Sequence, residues 1–237
     1  FHLDKGLHFS NWCADEAIDF LRNRDGNTTY FLMVNFLAPH PPLTPPAPYY
    51  ERYLERELPE PFIGPWAWLS DRSVGQLQLE GWRISSNAPE LKQMRAAYYG
   101  CIEHVDAQIG RILSDGPDHV LPPNTIVVFT SDHGDMLGDQ QWLRKRNPYE
   151  PSARVPMLMR FPDGVNPGPP RVVDEPFQLA DIMPTLLDAA GMRSPETVEG
   201  RSVLSILRDS GPWREHVHGE CAEVPTTGSG MHYPTDG

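Results

Sequence analysis

Apolar residues recur on a helical period from Asn11 to Arg24, with Ala14, Ala17, Ile18 and Leu21 on one side. Asp15 and Glu16 suit the first turn of such a helix, and Asp25-Gly26 ends it. The pattern then changes. Thr29 to Ala38 (TYFLMVNFLA) is a continuous apolar and β-branched run, which predicts a strand covered on both faces. It leads into Pro39-His40-Pro41-Pro42 and Thr44-Pro45-Pro46, a stiff extended loop through which no helix can pass. Tyr49 to Glu57 reads as a short helix. Leu58 to Ala88 has no period but holds Trp66, Trp68 and Trp82, the pattern of a lid or binding loop.

Pro89 opens the longest periodic helix, to about Ser114, with a stripe of Leu91, Met94, Tyr98, Ile102, Val105, Ile109 and Ile112. A β-branched run from Thr125 to Val128, with Phe129, predicts a buried strand, and Val155 to Phe161 a second one, at an edge because of Pro156. Gln178 to Ala190 reads as a helix whose main segment opens at Pro184 and is capped by Gly191. Ser202 to Arg208 adds an amphipathic turn or two. Strands alternating with helices predict an α/β domain with a mostly parallel sheet flanked by helices. Residues 1–212 are expected to be the C-terminal portion of such a domain, and 213–237 the start of a smaller, truncated C-terminal subdomain.

Composition narrows the partners. Of 237 residues 39% are hydrophobic and 22% charged, the balance of a globular protein with a real core. A net charge of −12 argues against nucleic acid, because phosphate binding needs a basic face. No stretch reaches the roughly 20 apolar residues that span a bilayer. Cys13, Cys101 and Cys221 are widely spaced and odd in number, which fits neither a disulfide framework nor a zinc ribbon. Both ends read as interior sequence, so the chain is expected to be a piece of a longer one, with its compartment left open.

Three stretches could carry chemistry. The strand at Thr125 breaks into Ser131-Asp132-His133-Gly134, and open α/β sheets present ligands beyond the carboxyl ends of their strands. Asp132 and His133 together suit a divalent cation that takes a carboxylate oxygen and an imidazole nitrogen, although an Asx-turn with an incidental His has the same sequence. Lys145 lies between Arg144 and Arg146 in this acidic chain, and its ammonium could hold a tetrahedral oxyanion. His40 sits at a strand end in a proline brace, where it could protonate a leaving oxygen. The plainer readings are a solvated basic loop and a loop histidine. His104, Asp106, Cys101, Asp181, Asp135 and Asp139 read as structural polar or core groups, and His216 and His218 as secondary candidates.

Taken together these stretches resemble the sulfatase family of the alkaline-phosphatase-like superfamily. The matching pieces are ADEAIDFL, FLMVNFLAPHPPLTPP, AAYYGCIEHVDAQIGRIL, TSDHGDMLGD with K-x-x-x-YE-x-S-x-RVP, LADIMPTLLDAAG and VEGRSVLSIL. The resemblance implies hydrolysis of a small-molecule or carbohydrate sulfate ester with one divalent cation, calcium first and manganese or magnesium as alternatives. By position it implies that Asp132 and His133 ligate the metal, that Lys145 contacts the sulfate and the nucleophile, and that His40 lies by the leaving-group oxygen. Relatives with the His form of the Asp-His pair cleave phosphonate monoesters and phosphodiesters, which is the alternative activity. The family's nucleophile is a formylglycine made in a C/S-x-P-S/A-x-R motif, and no such motif occurs here. The first pair of metal-binding aspartates is also missing. The chain alone is therefore expected to be inactive, and a non-catalytic binding module is the remaining alternative. Arg144 and Arg146 stand where many relatives have smaller residues.

Overall fold

The computed structural model describes residues 8–67, 83–114, 121–145, 148–165, 167–208 and 211–219. In chain order its elements are helices α1 (Phe9–Asn23), α2 (Ala47–Leu54) and α3 (Pro89–Leu113), strand β1 (Val127–Thr130), helix α4 (Glu150–Ala153), strand β2 (Met157–Arg160), and helices α5 (Ile182–Ala189) and α6 (Leu204–Leu207). Trp68, Trp82, Arg146 and Cys221 lie outside the described residues.

Helix α1 buries the predicted face, Cys13, Ala14, Ala17, Ile18 and Leu21. It starts earlier than its acidic residues suggest. His8 Nδ1 accepts from the Ser10 backbone N–H at 3.1 Å, and this imidazole cap leaves no acidic residue in the first turn. Together Ala14, Ala17, Ile18, Leu21, Ile112 and Leu121 form the core cluster.

The run after α1 departs from expectation. Tyr30, Leu32, Val34 and Phe36 pack against that core cluster, whereas Phe31, Met33 and Leu37 are 77%, 68% and 54% exposed. The described residues thus cover one face of the run, and no ladder forms along it. It lies extended, with the Tyr30 hydroxyl 3.0 Å from Thr125 Oγ1. A continuous apolar sequence does not by itself say how many faces are covered, because strand neighbours are chosen by the rest of the chain.

Helix α3 is as long as its pattern predicts, but its buried face is different. Small and polar residues are inside: Ala96, Ala97, Gly100, Cys101, His104 and Gln108, with Leu91, Arg95, Val105 and Ile112. Ile102, placed on the stripe by its hydropathy, is 43% exposed. Gly100 explains the shift. A Cβ there would lie 3.1 Å from the Tyr49 carbonyl carbon and oxygen, so the lack of a side chain lets α2 pack closely on α3. Tyr53 and Tyr99 stack across this contact at 5.7 Å, and Arg52 pairs with Glu103 beside them.

Strands β1 and β2 pair antiparallel with Val127 opposite Arg160 and Thr130 opposite Met157. This is the sheet formed by the described residues. Further along the chain one carboxylate organises three segments. Asp181 is fully buried and accepts from Arg214 Nη1 and Nη2 at 2.6 and 2.7 Å, from Arg201 N at 2.8 Å and from Gln178 N at 2.9 Å. Burial alone would push its carboxyl up, but these donors outweigh it and hold the group below its usual range. Gly200 is required beside it, since a Cβ would fall 2.0 Å from the Ala180 carbonyl oxygen.

Candidate active site

Strand β1 delivers its last residues to a tight turn. Ser131 Oγ donates to His133 O at 2.6 Å, and Asp132 Oδ1 accepts from His133 N at 3.0 Å. The bond is to the next residue and not to the one after it, so this is not the Asx-turn of the plain reading. The turn leaves the Asp132 carboxylate 86% exposed with Oδ2 3.7 Å from His133 Nε2, so both groups face the same side.

The His133 ring is fixed from both ends. Its Nδ1 donates to the Gly134 carbonyl at 2.7 Å, which leaves the Nε2 lone pair to accept from Lys145 Nζ at 2.5 Å. His40 comes from the proline loop that follows the extended run. Its ring centroid lies 5.9 Å from that of His133 in an edge-on arrangement, and its Nδ1 donates to the Pro41 carbonyl at 2.8 Å. In these tautomers, assigned from the hydrogen bonds, both imidazoles present Nε2 as an acceptor, and that of His133 faces the Lys145 ammonium. The proline loop does for His40 what its sequence predicts, because it presents the ring at the end of the extended run.

Lys145 reaches His133 through a loop that is closed by hydrogen bonds. Asp135 Oδ1 accepts from Leu137 N at 2.9 Å and from Arg144 N at 3.0 Å, so one oxygen ties the loop's first turn to its last. Met136 N donates to Arg144 O and Gly138 N to Trp142 O, each at 2.8 Å. Within this ring Leu137, Gln140, Gln141 and Arg144 have φ of 46°, 54°, 63° and 65°. Left-handed non-glycine residues each cost of order 1 kcal/mol and persist where surrounding bonds over-determine them. Those bonds are present: Arg95 Nη1 donates to Leu137 O at 2.6 Å, Gln140 N to Phe62 O at 2.8 Å and Ile84 N to Gln141 O at 3.1 Å. Helix α4 closes the other side. Gly134 N donates to Ser152 O at 2.8 Å, and a Cβ on Gly134 would sit 2.1 Å from Pro151 O, so only glycine fits.

The structure thus brings His40, Asp132, His133 and Lys145 together. The sequence marks Asp135 only as a structural polar group and gives no sign of Arg95. The signal for Asp135 was there, an Asp two residues before the N–H it accepts from, but its second partner nine residues on is visible only in the fold. The other candidates fall elsewhere. His104 bonds Asn11 Oδ1 at 2.8 Å and packs edge-on against His8. Burial pushes the Cys101 thiol up to about 11, which suits a core residue and not a nucleophile. Asp181 belongs to the Arg214 hub, and His216 and His218 are exposed on the C-terminal segment. Among the described residues no group of three or more His, Cys, Asp and Glu could hold a metal. The Asp132–His133 pair offers one hard oxygen and one imidazole nitrogen, which fits one edge of a cation's shell and no more.

Comparison with known proteins bears on this arrangement. A family model described as Sulfatase matches residues 5–192. The chain is 43% identical over 219 residues to an arylsulfatase of Clostridium perfringens, covering 92% of this chain and 46% of that protein. It is 30% identical over 237 residues to the multifunctional alkaline phosphatase superfamily protein PehA of Trinickia caryophylli, covering 92% and 45%. Its fold matches the phosphonate monoester hydrolase of Agrobacterium radiobacter with a TM-score of 0.73 at 30% identity, over 90% of this chain and 45% of that one. The chain spans about half the length of the curated relatives it matches. Among the described residues no helix is long and apolar enough to cross a membrane.

Proposed function

The chain belongs to the sulfatase family, and we propose that it supplies the leaving-group side and one metal edge of an active site that hydrolyses sulfate esters. The observation that carries this reading is the convergence of His40, His133 and Lys145, with the Lys145 ammonium 2.5 Å from His133 and the two rings 5.9 Å apart. A compact cation beside one imidazole, with a second imidazole packed against the first, is suited to an anion whose oxygens point in several directions.

Each residue has a distinct task on this reading. Lys145 has three N–H donors, of which His133 uses one, so it can hold an oxygen of the sulfate as negative charge grows there. The His40 ring packs edge-on against His133, and a proton carried at its Nε2 would go to the departing alcohol oxygen. Asp132 and His133 would hold a divalent cation, calcium first and manganese or magnesium as alternatives, whose charge would polarise the S–O bonds. Were His133 Nε2 taken up in this way, all three Lys145 N–H donors would be available to the anion. The ligands completing the shell and the nucleophile are not assigned to residues of this chain, which has no C/S-x-P-S/A-x-R motif.

The purified 237-residue chain is therefore expected to release no 4-nitrophenol from 4-nitrophenyl sulfate. Turnover that follows the chain through purification and disappears in Lys145→Ala would overturn the division of labour proposed here. The alternative activity, phosphonate monoester hydrolysis, is supported by the 30% identity and TM-score of 0.73 to the Agrobacterium radiobacter enzyme and by His133 at the second ligand position. Relative kcat/KM on a sulfate and a phosphonate ester, in an enzyme carrying this chain within the relatives' full length, separates the two.

A further inference from the structure

Trp66 and Tyr149 form an exposed aromatic stack, with centroids 5.7 Å apart and planes 24° from parallel. They are 45% and 37% exposed, although they are large residues in an α/β domain that has a core to put them in. Both are anchored to the loop that carries Lys145. On the Trp66 side, Phe62 N donates to Asp139 Oδ1 at 3.0 Å and Gly64 N donates to the buried Gln140 Oε1 at 2.8 Å. The indole folds back over Gly64, where a Cβ would meet Trp66 Nε1 at 2.9 Å. On the other side, the Tyr149 carbonyl accepts from Ser152 N and Ala153 N, and Ser152 O accepts from Gly134 N, the residue after His133. The carboxylate of Glu150 stands beside Tyr149, 80% exposed and 3.5 Å from Arg154.

We propose that this stack is the subsite for the ring of the alcohol that leaves from sulfate, an aryl ring or a pyranose lying flat against the aromatic face. The proposal rests on the sulfate-ester reading above and adds where the rest of the substrate goes. An aromatic face attracts a flat apolar ring face, and the polar Glu150–Arg154 pair at its margin offers partners to ring substituents. The chain of hydrogen bonds through Gln140, Asp139 and Ser152 fixes the platform relative to His133 and Lys145, so ring and sulfate would be registered together. It is a specificity element, since it touches the ring and not the reacting atoms.

Affinities of the 237-residue chain, by ligand-observed NMR titration, test this with ethyl sulfate, 4-nitrophenyl sulfate and methyl glucopyranoside 6-sulfate. At least one ring-bearing ester should bind about three- to tenfold more tightly than ethyl sulfate, and Trp66→Ala should abolish that advantage while leaving ethyl sulfate unchanged. Whichever ring shows the advantage identifies the aryl or sugar source. Tyr149→Leu, which leaves the Gly64 packing intact, gives the same reading if Trp66→Ala fails to fold. An equal affinity for all three esters, or a ring advantage that survives both substitutions, overturns the proposal. Lys145→Ala should weaken all three alike. If it weakens none while the ring advantage still depends on Trp66, the sulfate reading fails and the platform stands.

Discussion

The loop from Gly134 to Lys145 and the extended run from Thr29 to Leu37 end at the same pair of imidazoles, but they are held in opposite ways. The loop is tied by its own backbone and by one carboxylate oxygen, and it keeps four non-glycine residues left-handed. The run is held by alternate side chains against the helical core, and its other face, Phe31, Met33 and Leu37, is exposed. Position at the Lys145 side therefore depends on hydrogen-bond geometry, and at the His40 side on packing. A site built half from each should respond differently to each kind of damage.

The largest effect is expected at Gly134. Alanine there would place its Cβ 2.1 Å from a backbone oxygen of α4, and Gly134→Ala should destabilise the protein by about 4–5 kcal/mol in urea unfolding. A loss below 1 kcal/mol would break the claim that the turn and α4 are rigidly interlocked. Asp181 repeats the loop's device, a carboxylate that gathers backbone N–H groups, now with a bidentate arginine. Asp181→Asn should cost about 3 kcal/mol or more, because it leaves Arg214 without its charged partner.

Acid should act at the same hub. The Asp181 carboxyl is held below its ordinary value in the folded state, so its contribution is complete above the unfolded value of about 3.9. It falls away as pH drops through the depressed folded value. Urea midpoints between pH 7 and pH 3 should therefore decline less steeply at the acid end in Asp181→Asn than in the wild type. Equal slopes would remove the hub from the acid response.

The smallest effects sharpen the comparison along the run itself. Leu32→Ala should cost about 2 kcal/mol, since it opens space against the core. Met33→Ala, one residue away on the exposed face, should cost about 0.5 kcal/mol or less. If the two cost the same, the run is not packed on one face as described.

What was legible followed from these two modes. The approximate helix positions, the place of β1 to within two residues and the presentation of His40 after an extended run follow from periodicity and proline punctuation, which are local signals. The face of α3 was misread because Ala97, Gly100 and His104 are inside for reasons of fit to Tyr49 and Asn11, which hydropathy does not record. Among the described residues only one face of Thr29 to Leu37 is covered, and a continuous apolar run does not tell this, since coverage belongs to neighbours. Asp132, His133, Lys145 and His40 could be named from motif and resemblance. That Asp135 and Arg95 hold the loop could not, because their partners are nine and 42 residues away.

On the proposed reading His40, His133 and Lys145 form one anion-binding unit. The most direct measurement is a titration of the ¹⁵N-imidazole signals with 4-nitrophenyl sulfate, in the wild-type chain and in Lys145→Ala. The signals of His40 and His133 should move together along one binding curve in the wild type, and Lys145→Ala should weaken that curve about tenfold or more. Movement of either histidine without the other, or a curve unchanged by Lys145→Ala, would contradict it.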